Sequence, residues 1–507
     1  MNVGNLFKDS VKLRPDRVAL IQEDRRLTYG ELDTRTNQVA NGLRDLGVKR
    51  GDTVGVLVKN DIRFVECMFG ALRLGAVVTP VTTRAHYDTL VHIMEDSETK
   101  VLIASPHFAE EAARLETGVS GLGHALVMDT ATDGATDYES WREAAADTDV
   151  DTPVDDGDLC LLPYTSGSTG LPKGVLLPHQ NVEWWTRAVR RAMLLGPEDR
   201  TLLAIPVFHA NGMFMALMPM LECGGSLVML HDFDAREVIT ALSREKCTYT
   251  TGVPAMYKLL LREEDLIAET DFSSLQFVLC GSSEVPEELL SEFEARFGAP
   301  MLEGYGLTEG GPLVCYNPRW GISKHGTSGL PYPGIELRVV DPDDPAKDVP
   351  QGEIGELLMR SPAPSKGYHK LPHVTKERFL EGKWLKTNDL VRADEQGYIK
   401  IVGRQDDMIN CGGENVYPKE VENVLMTHAN VADVAVVPVP DDIKGEVPVA
   451  FAVEKNSGDT SPESLKQYFL DNGPAYAHPR KVFIVDELPL TGAKKVDRTH
   501  LKELARA

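Results

Sequence analysis

Two spacings of apolar residues alternate along the first 300 positions. Leu32, Val39, Leu43 and Leu46 recur at helical intervals on one face, and Thr28 followed by Glu31 forms a capping-box pair, so a helix is expected to start there. The run 53–58 reads as a strand, 64–74 as a helix and 76–81 as a strand. That order joins parallel neighbours, because parallel strands need a crossover where antiparallel ones need only a tight turn. Strand-like runs return at 100–104, 202–206, 226–230 and 277–280, which predicts an α/β fold with a mainly parallel sheet. From 326 to 403 the helical period fades into short alternating runs at 335–340, 356–359 and 398–402, cut by Gly and Pro, and a β-rich subdomain is expected. After Arg404 the texture changes again: helix at 418–426, strands at 434–439 and 449–453, helix at 462–470, strand at 482–485. The expected organisation is a large N-terminal domain, 1–404, of α/β parallel-sheet subdomains plus the β-rich one, and a small α+β C-terminal domain, 405–507.

Length agrees with this division, since 507 residues exceed what one core supports, roughly 250 to 300 residues. The 42% hydrophobic and 26% charged fractions are those of a globular chain. A net charge of -24 argues against nucleic acid as a partner, and it requires any phosphate site to be built locally from backbone N–H groups and a few cations. Seven cysteines are scattered without paired spacing, which suits a reducing cytoplasm and neither a zinc site nor a disulfide framework. Residues 1–11 lack a signal-peptide core, and the most apolar stretch, 213–229, is broken by Pro219, Glu222, Gly224 and Gly225, so no membrane span is expected.

The densest candidate chemistry is Tyr164-Thr165-Ser166-Gly167-Ser168-Thr169-Gly170-Leu171-Pro172-Lys173-Gly174, which follows the apolar run 159–163. Small residues let backbone N–H groups converge on an anion, hydroxyls add donors and Lys173 adds charge. The Walker pattern is not met, because Pro172 stands where its last Gly belongs and Gly174 replaces the Ser or Thr after the lysine.

With five further segments in the expected order, the chain resembles the adenylate-forming superfamily of acyl-CoA synthetases, 4-coumarate:CoA ligases, luciferases and peptide-synthetase adenylation domains. Glu303-Gly304-Tyr305-Gly306-Leu307-Thr308-Glu309 is similar to its adenine and metal motif. The resemblance implies that Tyr305 packs on adenine, Thr308 contacts the α-phosphate and Glu309 holds Mg2+, a hard cation suited to one or two carboxylates plus phosphates. Thr165 is the second implied metal ligand. Gly281-Ser282-Ser283 corresponds to the turn lining the adenine and acyl pockets, although a plain strand-to-helix turn uses the same residues. Trp384-Leu385-Lys386-Thr387-Asn388-Asp389 resembles the ribose motif, with Asp389 as the ligand and Asn388 where the family more often has Gly. Arg404, in Gly403-Arg404-Gln405-Asp406-Asp407, is implied to reach the nucleotide and Asp406 to be the hinge of a mobile lid. Gly412, Gly413 and Glu414 match the loop over the thiol tunnel. Lys495 matches the adenylation lysine, with Lys494 standing where the family has Gly.

Together these imply nucleotide contacts from Thr165, Ser166, Gly167, Ser168, Thr169, Gly170, Lys173, Gly281, Ser282, Ser283, Glu303, Gly304, Tyr305, Gly306, Thr308, Asp389, Arg404 and Lys495. Phe208-His209-Ala210-Asn211-Gly212 sits at the acyl-pocket motif, so His209, Asn211, Gly212 and Met213 are implied to line the acid. His209 stands where α-amino-acid enzymes carry an aspartate for the ammonium, which argues against amino-acid substrates. Met213, Met215, Met218 and Met220 suit either an adaptable tunnel or plain core.

The implied activity joins ATP, Mg2+, a carboxylic acid and CoA in two steps, with Lys495, Thr308, Glu309 and His209 as catalytic residues. Two rivals remain: transfer to a pantetheinyl carrier protein or another nucleophile, and a catalytically weak nucleotide-binding regulator. The sequence leaves a homodimer open.

Overall fold

The computed structural model describes residues 1–130, 136–165, 171–282, 285–411, 414–441, 443–456, 458–491 and 496–506, with backbone alone at 406, 410, 414 and 415. The chain forms two compact units. One comprises Met1–Glu336 and Met359–Leu385, the other Leu337–Leu358 and Lys386–Ala507. The run 326–403 is therefore divided between both units.

The first unit carries two large sheets. The nine-stranded one runs Leu330–Pro331, Gly311–Tyr316, Met301–Leu307, Phe277–Cys280, Tyr249–Gly252, Arg200–Leu203, Ser226–Met229, Val18–Gln22, Arg25–Thr28. Its inner strands pair in parallel, and antiparallel partners close both edges. The seven-stranded sheet, Leu177–Pro178, Leu159–Leu161, Val77–Pro80, Thr53–Leu57, Thr99–Ala104, His124–Val127, Thr136–Asp137, is parallel except at its first strand. Strands such as Phe277–Cys280 and Ser226–Met229 are buried throughout, which is why they read as unbroken apolar runs. The capping box forms as expected: Glu31 N donates to Thr28 Oγ1 at 3.2 Å and Thr28 N to Glu31 Oε2 at 2.8 Å, opening the helix Tyr29–Asp45. Leu46 falls at its C-cap. Buried Asn60 donates to the carbonyls of Ile205 and Leu230 and accepts from Val207 N, so one amide fixes the chain leading into His209.

The helix His179–Ala192 begins on a fully buried histidine. His179 Nδ1 accepts from Val3 N at 3.1 Å, while Nε2 has no hydrogen-bond partner among the described residues. Burial pushes this imidazole down to about 4 from its usual 6.5. Between pH 6.5 and 4 the unfolded chain takes up a proton that the folded one refuses, so stability is lost as pH falls across that window, by about 3 kcal/mol at its foot. His179→Gln keeps an acceptor for Val3 without titrating. Its thermal midpoint is expected to depend less steeply on pH between 6.5 and 4 than that of wild type, and superimposable profiles would refute the assignment.

In the second unit, Gly445–Glu454 pairs antiparallel with Val431–Asp441 and Ile409–Cys411 and parallel with Lys481–Val485. One apolar cluster gathers Ile409, Val421, Leu425 and Phe469, and another gathers Val437, Phe451 and Leu501. The helices Pro418–Met426, Pro462–Asn472 and Arg498–Arg506 supply the covering side chains. All seven cysteines are free thiols and all are buried. Burial raises the thiols of Cys67, Cys160, Cys223, Cys247, Cys280 and Cys315 above the ordinary range. Among the described residues, no helix is long and apolar enough to cross a membrane.

Candidate active site

In the first unit, Tyr164–Thr165 and Lys173–Gly174 pair antiparallel, Thr165 opposite Lys173. Ser166, Gly167, Ser168, Thr169 and Gly170, which this hairpin brackets, lie outside the described residues. Tyr164 Oη donates to Asp96 at 2.7 Å, and burial together with that carboxylate raises its pKa. His92 Nε2 lies 3.0 Å from the Pro172 carbonyl. Beyond Lys173 the chain runs beside 367–369: Leu176 N donates to Gly367 O and His369 N to Gly174 O.

Tyr368, on that neighbouring segment, donates through its hydroxyl to Glu309 Oε1 at 2.7 Å, and Ser365 Oγ donates to the Glu309 carbonyl at 2.6 Å. The exit of this hairpin and the candidate metal carboxylate are thus held by one short piece of chain. Glu309, with Thr308, follows the strand Met301–Leu307, which also carries Gly304, Tyr305 and Gly306 and lies parallel to Phe277–Cys280 with Glu303 opposite Cys280. Glu303 is nearly buried and accepts from Ser328 Oγ at 3.0 Å. A Cβ on Gly281 would lie 2.9 Å from the Gly304 carbonyl, so only glycine lets this turn approach so closely. Ser282 takes φ +67, a left-handed conformation that bulky residues avoid. Ser283 lies outside the described residues.

The acyl-motif residues reach the same turn. Asn211 opens a π-helical stretch, Asn211–Leu217, that also holds Gly212 and Met213. Asn211 Oδ1 accepts from Thr251 Oγ1 at 2.6 Å, and its Nδ2 lies 3.4 Å from Ser282 Oγ as donor. His209 Nδ1 accepts from Asn211 N at 3.3 Å, which leaves Nε2 as the protonated nitrogen of a neutral ring. Met213, Met215, Met218 and Met220 are all buried, and Met218 Sδ accepts from Thr186 Oγ1.

In the second unit, Asp389 and Arg404 stand opposite one another on antiparallel strands, Nε to Oδ1 at 3.6 Å. Asn388 has φ +60, the left-handed backbone that Asn and Gly share. Its N–H donates to Glu356, a fully buried carboxylate paired with Lys386 at 3.2 Å. Asp406 lies in the 3-10 turn Gln405–Asp407, and its side chain is outside the described atoms. Gly412 and Gly413 lie outside them too; Glu414 is placed by backbone alone, opposite Cys411. Lys494 and Lys495 also lie outside the described residues, but Leu490 and Val496, which flank them, form a β-bridge.

A metal cage made only of protein does not fit: the described residues contain no group of three or more His, Cys, Asp or Glu side chains able to hold an ion. Mg2+ does fit, because it needs one or two carboxylates plus substrate phosphates, and Glu309 is a half-buried carboxylate oriented by Tyr368. Sequence reasoning missed Tyr368, Ser365 and Asn60, which act through pairings 59, 56 and 145 residues distant that no local pattern announces.

Comparison with known proteins agrees over almost the whole chain. A family model described as AMP-binding enzyme matches residues 7–369, and one described as AMP-binding enzyme C-terminal domain matches 420–495. A feruloyl-CoA synthase of an Amycolatopsis species is 36% identical over 96% of this chain and 95% of that protein. A fatty acid–[acyl-carrier-protein] ligase, ScoC of Streptomyces coeruleorubidus, is 32% identical over 96% of this chain and 93% of its own. The crystal structure of an anthranilate CoA ligase with anthranoyl-AMP superposes with a TM-score of 0.92 at 29% identity, covering 100% of this chain and 97% of that one. With both family domains present in order on an α/β fold of this kind, the chain belongs to the AMP-binding enzyme family, as an AMP-forming acid–thiol ligase of the acyl-CoA synthetase type.

Proposed function

We propose that the acid is a compact aryl carboxylic acid and that CoA is the acceptor. The observation that supports this most is the bonding of Asn211 to Thr251 and Ser282, which draws the acyl motif onto the turn beside the strand leading to Glu309. The feruloyl-CoA and anthranilate relatives point to the aryl class.

In this reading a carboxylate oxygen of the acid attacks the α-phosphorus of ATP and the bond to the β-phosphate breaks, releasing pyrophosphate. The CoA sulfur then attacks the acyl carbon, and AMP departs with the electrons of the broken C–O bond. The loop 165–173 cradles phosphate, Tyr305 packs on adenine, Asp389 accepts from the ribose hydroxyls, and Arg404 adds a nucleotide contact. Thr308 and Lys495 serve the α-phosphate, and His209 faces the acid. Glu309, with Thr165 as second ligand, would hold Mg2+, which when bound would supply positive charge beside the phosphate oxygens. Residues 405–507 act as a lid that turns about Asp406 between the two steps and brings the loop at Gly412, Gly413 and Glu414 over the thiol. The enzyme works in the cytoplasm.

Pyrophosphate release over a panel of aryl, short and long aliphatic acids, with CoA or with a pantetheinyl carrier protein, tests this. Aryl acids with CoA are expected to lead, and turnover restricted to long aliphatic acids would overturn the assignment. The ScoC relative favours a second reading, transfer to a carrier, which would appear as product only in the carrier arm. Asp389→Ala is expected to raise KM for ATP by roughly 10-fold while kcat at saturating ATP is kept, since contacts to ribose bind ground and transition states alike. An unaltered KM would displace the ribose site from Asp389.

A further inference from the structure

We infer that His92 and Asp96, on the helix Tyr87–Asp96, are positioning residues for the triphosphate of ATP: they fix the two strands that carry Thr165 and Lys173 and, through His369, tie them to Glu309. This rests on the reading of 165–173 as the phosphate cradle and adds to it two residues that lie outside every motif of the sequence.

Leu90, Ile93 and Met94 share one buried apolar cluster with Leu57, Leu102 and Ala104 of the seven-stranded sheet, which seats the helix. His92 and Asp96 are four residues apart, so they neighbour one another on its surface, and both are half-buried. Asp96 Oδ2 accepts from the Tyr164 hydroxyl at 2.7 Å, and Tyr164 precedes Thr165. His92 Nε2 lies 3.0 Å from the Pro172 carbonyl, and Pro172 precedes Lys173. A carbonyl only accepts, so the ring nitrogen is the donor. The His92 ring also meets that of Tyr164 edge-on, with centroids 6.3 Å apart. Thr165 and Lys173 pair across the hairpin, so two bonds from a single helical turn set both of its strands.

The same helix end holds a third segment. The last carbonyls of a helix have no partner within it, and that of Asp96 accepts from His369 Nε2 at 2.9 Å and from Lys370 Nζ at 2.6 Å. His369 N donates in turn to the Gly174 carbonyl, and its neighbour Tyr368 donates to Glu309. The groups assigned to the phosphates and their metal ion thus converge on one turn of helix. Tyr305 and Asp389, assigned to adenine and ribose, belong to the strands Met301–Leu307 and Trp384–Ala393, to which His92 and Asp96 make no bond among the described residues. Loss of these bonds should therefore be felt by the β- and γ-phosphates and not by the rest of the nucleotide.

The test compares ATP with AMP, both with Mg2+, by calorimetric titration of the full chain. His92→Phe keeps a ring against Tyr164 and removes the donor, and Asp96→Ala removes the acceptor. Each should weaken ATP roughly 10-fold, the worth of one hydrogen bond, and leave AMP unchanged. Thioester formation from synthetic acyl-adenylate and CoA, which involves no pyrophosphate, should hold. His92→Gln and Asp96→Asn, which restore a donor and an acceptor, should recover most of the affinity for ATP. Parallel losses for ATP and AMP, no recovery in the conservative variants, or unchanged ATP affinity in His92→Phe and Asp96→Ala would each overturn the inference while leaving adenylation intact. A wild type that neither binds ATP nor releases pyrophosphate with any acid would remove the cradle reading and this inference with it.

Discussion

Lys495→Ala is expected to lose pyrophosphate release by at least roughly 100-fold while still forming thioester from synthetic acyl-adenylate and CoA, because only the first half-reaction builds charge on the α-phosphoryl oxygens. The described residues on either side of the lysine are held by bonds of their own. Leu490 bridges Val496, Asp497 N donates to the Pro489 carbonyl at 2.7 Å, and Arg498 donates to Val436 O and to the buried carboxylate of Glu422. Removing the amine should therefore leave the fold untouched. Lys494→Ala is expected to change little. Asp406→Pro, which fixes φ and deletes a donor, should show the opposite profile, with adenylation kept and thioester formation blocked. Measuring pyrophosphate and thioester separately in all three variants decides the matter, and adenylation lost in Lys494→Ala but kept in Lys495→Ala would transfer the role to the neighbouring lysine.

Glu309→Gln is expected to cost roughly 100-fold in activity at limiting Mg2+, with a melting temperature near that of wild type. Glutamine preserves volume and still offers Oε1 to the Tyr368 hydroxyl, so the structural bond survives while the charge that would hold the ion is gone. Tyr368→Phe is the complement. It keeps the charge and loses the orientation, so half-saturation by Mg2+ should rise with kcat at excess metal preserved. Binding of Mn2+ in the presence of a non-hydrolysable ATP analogue, followed by electron paramagnetic resonance, gives a readout apart from turnover. Unchanged Mn2+ affinity in Glu309→Gln would move the metal elsewhere.

What was legible in the sequence was local. Thr28 and Glu31 announce a helix start because both partners of the capping box lie within four residues, and the helix Pro418–Met426 appears with the bounds expected of it. Asn388 could be read as a left-handed turn because so few residue types tolerate that backbone, and φ +60 is what it adopts. The strand Val18–Gln22 and the edge strand Arg25–Thr28 beside it were not foreseen, since the first joins the sheet through Ser226–Met229, some two hundred residues on. The run 326–403 looked uniform because alternation reports strand character and carries no information about which strands pair. Its cuts at 336/337, 358/359 and 385/386 depend on long-range partners. Within the site, motif positions were legible one at a time. The bond from Tyr368 to Glu309 and that from Tyr164 to Asp96 were not, because each joins chain segments with no shared spacing.

The burial of every cysteine has a practical consequence for watching this enzyme at work. Thiols that are enclosed react slowly with disulfide and maleimide reagents, since the reagent must reach the sulfur. A colorimetric thiol reagent added to folded enzyme should therefore report CoA rather than protein. A cysteine introduced at Trp320, 72% exposed in the first unit, or at Ile443, 92% exposed in the second, would stand as a singly addressable handle without first stripping seven native residues from the chain. A dye pair on those two positions would turn the proposed lid movement into a distance change that can be followed in real time.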